Sequence, residues 1–126
     1  MKIISIRQPW ASPIVSGVKD VENRTWSTRY RGPVLIHASQ TIDTISGEEF
    51  QARFGMALPA AAPRGGVVGV AEIVDCVSEH SSRWYAPGHF AFVLRNARAV
   101  PFTPWRGALS LCAASDELIV LLRGIL

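Results

Sequence analysis

The sequence predicts an α+β domain: a small β-barrel of short strands with helices on its outside. Three observations lead there. Several short apolar segments, rich in isoleucine and valine, are closed off by glycine, proline and polar turn residues, the pattern of a strand-rich fold. Two segments begin with serine followed by acidic residues, as helix starts do. The chain has 126 residues, 48% hydrophobic and 18% charged, which suits one globular domain with an ordinary core.

Lys2 to Arg7 reads as a strand, by its isoleucines and its abrupt end at Gln8-Pro9. Pro9 suits the first position of a short helix running to Ser16, and Pro13 is tolerated in a first turn whose amides have no intrahelical partner. Gly17 closes that helix, and Val21 to Trp26 is extended. Arg31-Gly32-Pro33 is a turn before a buried strand, Val34 to Ala38. Ser46 and Glu49 form a capping box that predicts a helix over Gly47 to Phe54. The Ala- and Pro-rich Met56 to Gly66 is a loop, because the pieces on either side are too small to fold alone. Strands are predicted over Gly66 to Val77 and Phe90 to Val100, and Ser115-Asp116-Glu117 opens an apolar helix through Leu122 that packs on the barrel.

Composition narrows the function classes. No apolar run approaches the roughly 18 residues of a membrane span. The apolar N-terminal stretch is broken by Ser5 and stopped by Arg7, too short for a signal peptide, so a cytoplasmic protein is expected. Cys76 and Cys112 lack metal-ligand spacing and are expected to be reduced thiols without a chemical role. His80 and His89 have no ligand partner at a useful spacing, and there is no Gly-rich phosphate loop, zinc pattern or serine-hydrolase elbow, so neither metal nor cofactor is expected. The net charge of +3 permits a polyanionic partner without requiring one.

Three groups of residues can carry chemistry. The first is Gly17 to Arg24, GVKDVENR, which offers an amine, a carboxylate and a guanidinium within a few residues. Extended from Asp20, it places Asp20, Glu22, Arg24 and Trp26 on one face; Lys19 sits at the turn, where alternation does not fix its direction. Arg24 can grip a carboxylate or phosphate through paired hydrogen bonds. The alternative is a solvated turn with a structural Glu–Arg pair. The second is Glu72, which alternation groups with Val68, Val70 and Val74. An acid among valines needs a partner if buried; otherwise that end of the strand is solvated. The third is a set of rings and polar groups, Arg7, Gln8, Trp10, Trp26, Tyr30 and Arg31, which can stack bases and hold phosphates or, alternatively, cover the core. Ser39, at the end of its strand, is either a hydrogen-bonding site residue or a cap, and His37 reads as a satisfied structural residue.

ISIRQPWASPIVSGVKDVENRTW, with its G-x-K-x-x-E-x-R motif, resembles the opening of the ASCH domain family, a branch of the PUA-like β-barrels. YRGPVLIHAS, GVVGVAEIVDC and the segment from Pro104-Trp105-Arg106-Gly107 to Leu111 extend the resemblance over nearly the whole chain. The resemblance implies a barrel with a cleft beside the motif, and an RNA or nucleoside-like ligand. Some small bacterial ASCH proteins are N4-acetylcytidine amidohydrolases, which use a Lys and a Thr of the motif and a Glu of the later strand; another has ribonuclease activity. Lys19 matches that Lys and Glu72 that Glu, whereas Glu22 stands at the Thr position. A carboxylate does not simply replace a hydroxyl as an acyl-accepting nucleophile.

The resemblance and the residues together predict a binding module. Lys19, Arg24 and Arg31 would meet phosphate while Trp26 or Tyr30 stacks a base, with Arg7, Gln8, Trp10 and Ser39 also expected to touch the ligand. The alternatives are a hydrolase in which Lys19, Glu22 and Glu72 are catalytic, and a protein-interaction module, since ASCH domains also occur in transcription coactivators.

Overall fold

The computed structural model describes residues 1–60 and 62–126; Ala61, within the predicted Met56 to Gly66 loop, lies outside the described residues. Among the described residues six strands form one curled sheet: β1 (Lys2–Ile6), β2 (Val21–Arg24), β3 (Gly32–Ala38), β4 (Gly66–Val77), β5 (Phe90–Pro104) and β6 (Leu111–Ala113). Their order is β2-β5-β4-β3-β1-β6. β1 and β3 run parallel and the other pairs antiparallel. The sheet is an open half-barrel with β2 and β6 at its edges, and α1 (Ala11–Val15), α2 (Gly47–Phe54) and α3 (Asp116–Leu121) pack on it. No helix among the described residues is long and apolar enough to cross a membrane.

Alternation in β1 and β3 assigns the two faces of the sheet. Ile4, Ile6, Val34 and Ile36 join the main core with Ala11 and Ile14 of α1. Ile3 and Leu35 point the other way, toward Leu118 of α3 and Leu122, the residue that caps its C-terminus. The predicted packing of the C-terminal helix therefore holds for Leu118 and Leu122, while Val120 and Leu121 are exposed. A third cluster joins α2 to the β2 edge through Phe50, Phe54, Trp84, Val21 and Ala91. α2 begins as predicted, with Ser46 Oγ accepting from the Glu49 amide at 3.0 Å.

In β4 the alternation slips. Its register against β5 shifts three times, between Val67/Gly69, Val70/Glu72 and Ile73/Asp75. Val67 and Val70 pack under α3, whereas Val68, Ala71 and Ile73 enter the main core. The predicted shared face of Val68, Val70, Glu72 and Val74 is thus corrected: Val68 and Val70 lie on opposite sides. Gly69 lies at one shift, where a Cβ would fall 2.3 Å from Val15 of α1 and 2.6 Å from the Arg98 carbonyl, so only glycine lets the helix settle there.

Three further expectations are corrected. The first helix starts at Ala11, and Pro9 precedes it in a turn whose Gln8-Pro9 peptide is cis. Gln8 Oε1 caps that helix, accepting from the Ser12 amide at 3.0 Å and its hydroxyl at 3.1 Å. β5 runs past Val100 to Pro104 because Pro101, which has no amide to donate, falls where the β4–β5 register shifts. β6 was not expected; three residues are too few to show a period.

Candidate functional site

The motif segment takes its shape from the end of α1. Gly17 adopts φ +84°, a left-handed conformation that reverses the chain. The Val18 and Lys19 amides then both donate to the Pro13 carbonyl, at 3.0 and 2.9 Å. This turn carries Lys19 inward, settling the direction that alternation left open: the residue is 4% exposed. Its Nζ donates to the Val21 carbonyl and, at 3.2 Å, to Glu22 Oε1.

Along β2, Glu22 and Arg24 share a face, as the sequence predicts. Glu22 Oε2 accepts from Arg24 Nη2 at 2.9 Å, and the same Nη2 donates to the Ser5 carbonyl of β1 at 2.8 Å. β2 is a sheet edge and β1 lies next to the opposite edge, so Arg24 spans the open mouth of the half-barrel. One buried carboxylate is thereby shared by two cations, leaving the group one positive charge in excess. In a region shielded from water such charges interact more strongly than at the surface. Arg24 Nε is enclosed and has no hydrogen-bond partner.

Above this group opens a cleft of about 780 Å3, within the range of small-ligand sites. Lys19, Glu22, Arg24, Arg7, Trp10, Trp26 and Ser39 all line it. Trp10 is half-buried, stacked on Phe50 at 5.8 Å between centroids and edge-on to Phe54 at 5.6 Å. Its indole N–H donates to Asp43 Oδ2 at 2.8 Å, while Asp43 Oδ1 takes Arg7 Nη1 at 3.0 Å. Trp26 meets Phe92 edge-on at 5.1 Å.

Four sequence candidates lie elsewhere. Gln8 is buried and occupied as the cap of α1, its Nε2 donating to the Pro63 carbonyl at 3.1 Å. The Tyr30 hydroxyl donates to the Pro33 carbonyl at 2.6 Å, and Arg31 Nη1 to the Thr28 and Tyr30 carbonyls at 3.0 Å each. Glu72 does not meet Lys19. It lies between Ala71 and Ile73, both of which point into the core, so its own side chain faces outward. There its Oε2 accepts from Asn96 at 3.1 Å, outside the cleft.

The structure adds lining residues that the sequence did not offer, chiefly Asn23, Asp43, Arg53, Trp84 and His89. Arg53 lies over the Phe54 ring at 4.9 Å, 3.7 Å from Glu49 one turn earlier. That i,i+4 pair was a legible signal, although it reads equally as a solvated helix face. Asp43 and Trp84 sit in segments without periodicity, where nothing local marks them. His37 is the satisfied structural residue expected: its Nε2 bonds the Trp105 carbonyl at 2.7 Å and its Nδ1 the Ser5 hydroxyl at 3.1 Å, and that hydroxyl accepts from the Ala108 amide at 2.9 Å. The chain of bonds fastens the Trp105–Ala108 segment beside the cleft. Among the described residues no group of His, Cys, Asp or Glu is placed to hold a metal ion.

The curled half-barrel sheet with its three helices defines a class of fold, and comparison with known proteins identifies that class. The model of the ASCH domain matches residues 4–108, and the chain belongs to the ASCH domain family. Human and mouse Activating signal cointegrator 1 are each 30% identical to it over 107 residues, covering 74% of this chain and 18% of theirs. The chain thus spans well under a quarter of the length of those relatives. The crystal structure of ASCH from Zymomonas mobilis superposes with a TM-score of 0.66 at 18% identity, covering 96% of this chain and 92% of that one. A crystal structure of a mutant of the Zymomonas mobilis protein, with a phenylalanine in place of a tyrosine, matches with the same TM-score and identity, covering 94% of its chain. At such identity the likeness is one of fold.

Proposed function

We propose that this domain binds single-stranded RNA, holding one nucleotide in the cleft above β2. The observation that carries the reading is the buried Lys19–Glu22–Arg24 group, whose uncompensated positive charge lines the cleft. An anionic ligand neutralises that charge, and a guanidinium is well suited to phosphate. The half-buried rings of Trp10 and Trp26 line the same cleft, and a base stacked on such a ring is worth about 1–3 kcal/mol. ASCH domains usually bind RNA, which supports the same ligand class.

Binding is favoured over hydrolysis by the state of the two carboxylates in the described lining. Glu22 is held by Lys19 and Arg24, and Asp43 by Arg7 and Trp10, so both serve as counter-ions to cations of the cleft. Fluorescence anisotropy with a labelled single-stranded RNA tests the reading. Affinity should fall as salt rises, with a log–log slope of about −0.7 for each phosphate held, and the RNA should stay at full length. Absence of binding at low salt, or an affinity indifferent to salt, contradicts the proposal.

A further inference from the structure

Beside the nucleotide cleft lies a second cavity, of about 420 Å3, lined by Pro9, Ile42, Ile45, Leu58, Pro59 and Arg64 among others. The two cavities share one wall residue, Asp43. Both oxygens of its carboxylate are occupied, by Arg7 and by the Trp10 indole, so the partition between the cavities does not present an unpaired negative charge. The Asp43 amide donates to the Gln8 carbonyl at 2.9 Å, which fixes the partition to the turn before α1. Arg7 lines the first cavity and Arg64 the second, so each cavity holds a cation on an exposed side chain. Arg64 Nη1 donates to the Gln40 carbonyl, at 3.2 Å, and among the described residues none of the ion pairs includes its guanidinium.

We infer that the second cavity is a subsite for the neighbouring nucleotide of the same RNA strand, whose base rests on the apolar floor of Pro9, Ile42 and Pro59 while Arg64 meets a phosphate. The inference rests on the reading of the first cleft as a nucleotide site. It adds that the ligand is a strand passing over Asp43 rather than a free nucleoside. Adjacency of the cavities across Asp43 and charge complementarity support a nucleic acid as the occupant: an apolar floor with a cation at its edge matches a base joined to a phosphate.

The test is a length series of uridine oligonucleotides, one to four residues long and each carrying a 5′-phosphate, titrated against the whole chain. Uridine is chosen because it stacks weakly on itself. The dinucleotide should bind roughly tenfold more tightly than the mononucleotide, the scale of one further good contact. Its log–log salt slope should be steeper by about 0.7, the signature of one more phosphate held. Arg64→Ala combined with Ile42→Ser, both at exposed positions, should remove the tenfold gain and the extra slope while leaving mononucleotide affinity unchanged. Equal affinity for the mono- and dinucleotide overturns the inference and leaves the first cleft standing as a nucleotide site. A gain that survives the double substitution also overturns it, by placing the second nucleotide elsewhere. Failure of every oligonucleotide to bind at low salt overturns both this inference and the function proposed above.

Discussion

Glu22 on β2 and Glu72 on β4 are both acids in strands, and the two strands treat them in opposite ways. β2 is four residues long, at a sheet edge, with an unbroken register against β5. Its alternation holds, and Glu22 ends between two cations with little solvent access. β4 is twelve residues long and central, and its register against β5 shifts three times. Val68 therefore leaves the face that simple alternation assigns, while Glu72 stays on the side of Val70, opposite Ala71 and Ile73, and turns outward to Asn96. An acid's place in a strand is informative only while the register is unbroken, and a long central strand has more opportunities to slip than a short edge strand.

The contrast can be broken or sharpened by substitution. The largest effect is expected at Glu22. Glu22→Gln leaves the Lys19 and Arg24 cations facing each other without their counter-ion, and should cost about 3–5 kcal/mol in chemical denaturation. Arg24→Lys keeps the charge but cannot reach both Glu22 and the Ser5 carbonyl in the same fork geometry. RNA affinity should drop about tenfold, the loss of one charge-assisted contact, as read by anisotropy. Asp43→Ala frees the Trp10 indole and Arg7. Because the Arg7–Asp43 pair is exposed, stability should change by less than about 1 kcal/mol, and a change in tryptophan fluorescence should report the release of the Trp10 indole. The smallest effect is expected at Glu72. Glu72→Gln can still accept from Asn96, so both stability, within about 0.5 kcal/mol, and RNA affinity should stay as they are.

The sequence was most readable where side-chain chemistry acts over one or two turns of chain. Ser46 marked α2 at its observed bounds, and the reversal at Gly17 was visible from the residue type alone. Lys19, Glu22 and Arg24 are neighbours in sequence, so their meeting in space required only a turn and one strand. What stayed hidden depends on distant partners. Gln8 looked like a ligand-binding group, yet it is spent on capping α1 and on the Pro63 carbonyl. Tyr30 and Arg31 looked like a stacking and phosphate pair, yet they bond the backbone of their own loop. Asp43 became a wall of the cleft through Arg7 and Trp10, more than thirty residues away in sequence. The fold class was legible because β1 and β3 are short Ile- and Val-rich runs closed off by turn residues; the openness of the barrel was not, because it depends on which strands remain unpaired.

In the proposed function, the excess charge of the buried β2 group holds the RNA. The most direct measurement of this is the salt dependence of single-stranded RNA binding by the unsubstituted chain and by Arg24→Ala, with Glu72→Gln as the matched control. Arg24→Ala should weaken binding and flatten the log–log slope by about 0.7, while Glu72→Gln should change neither. An Arg24→Ala protein that stays folded and keeps the original affinity and slope would contradict the proposed function.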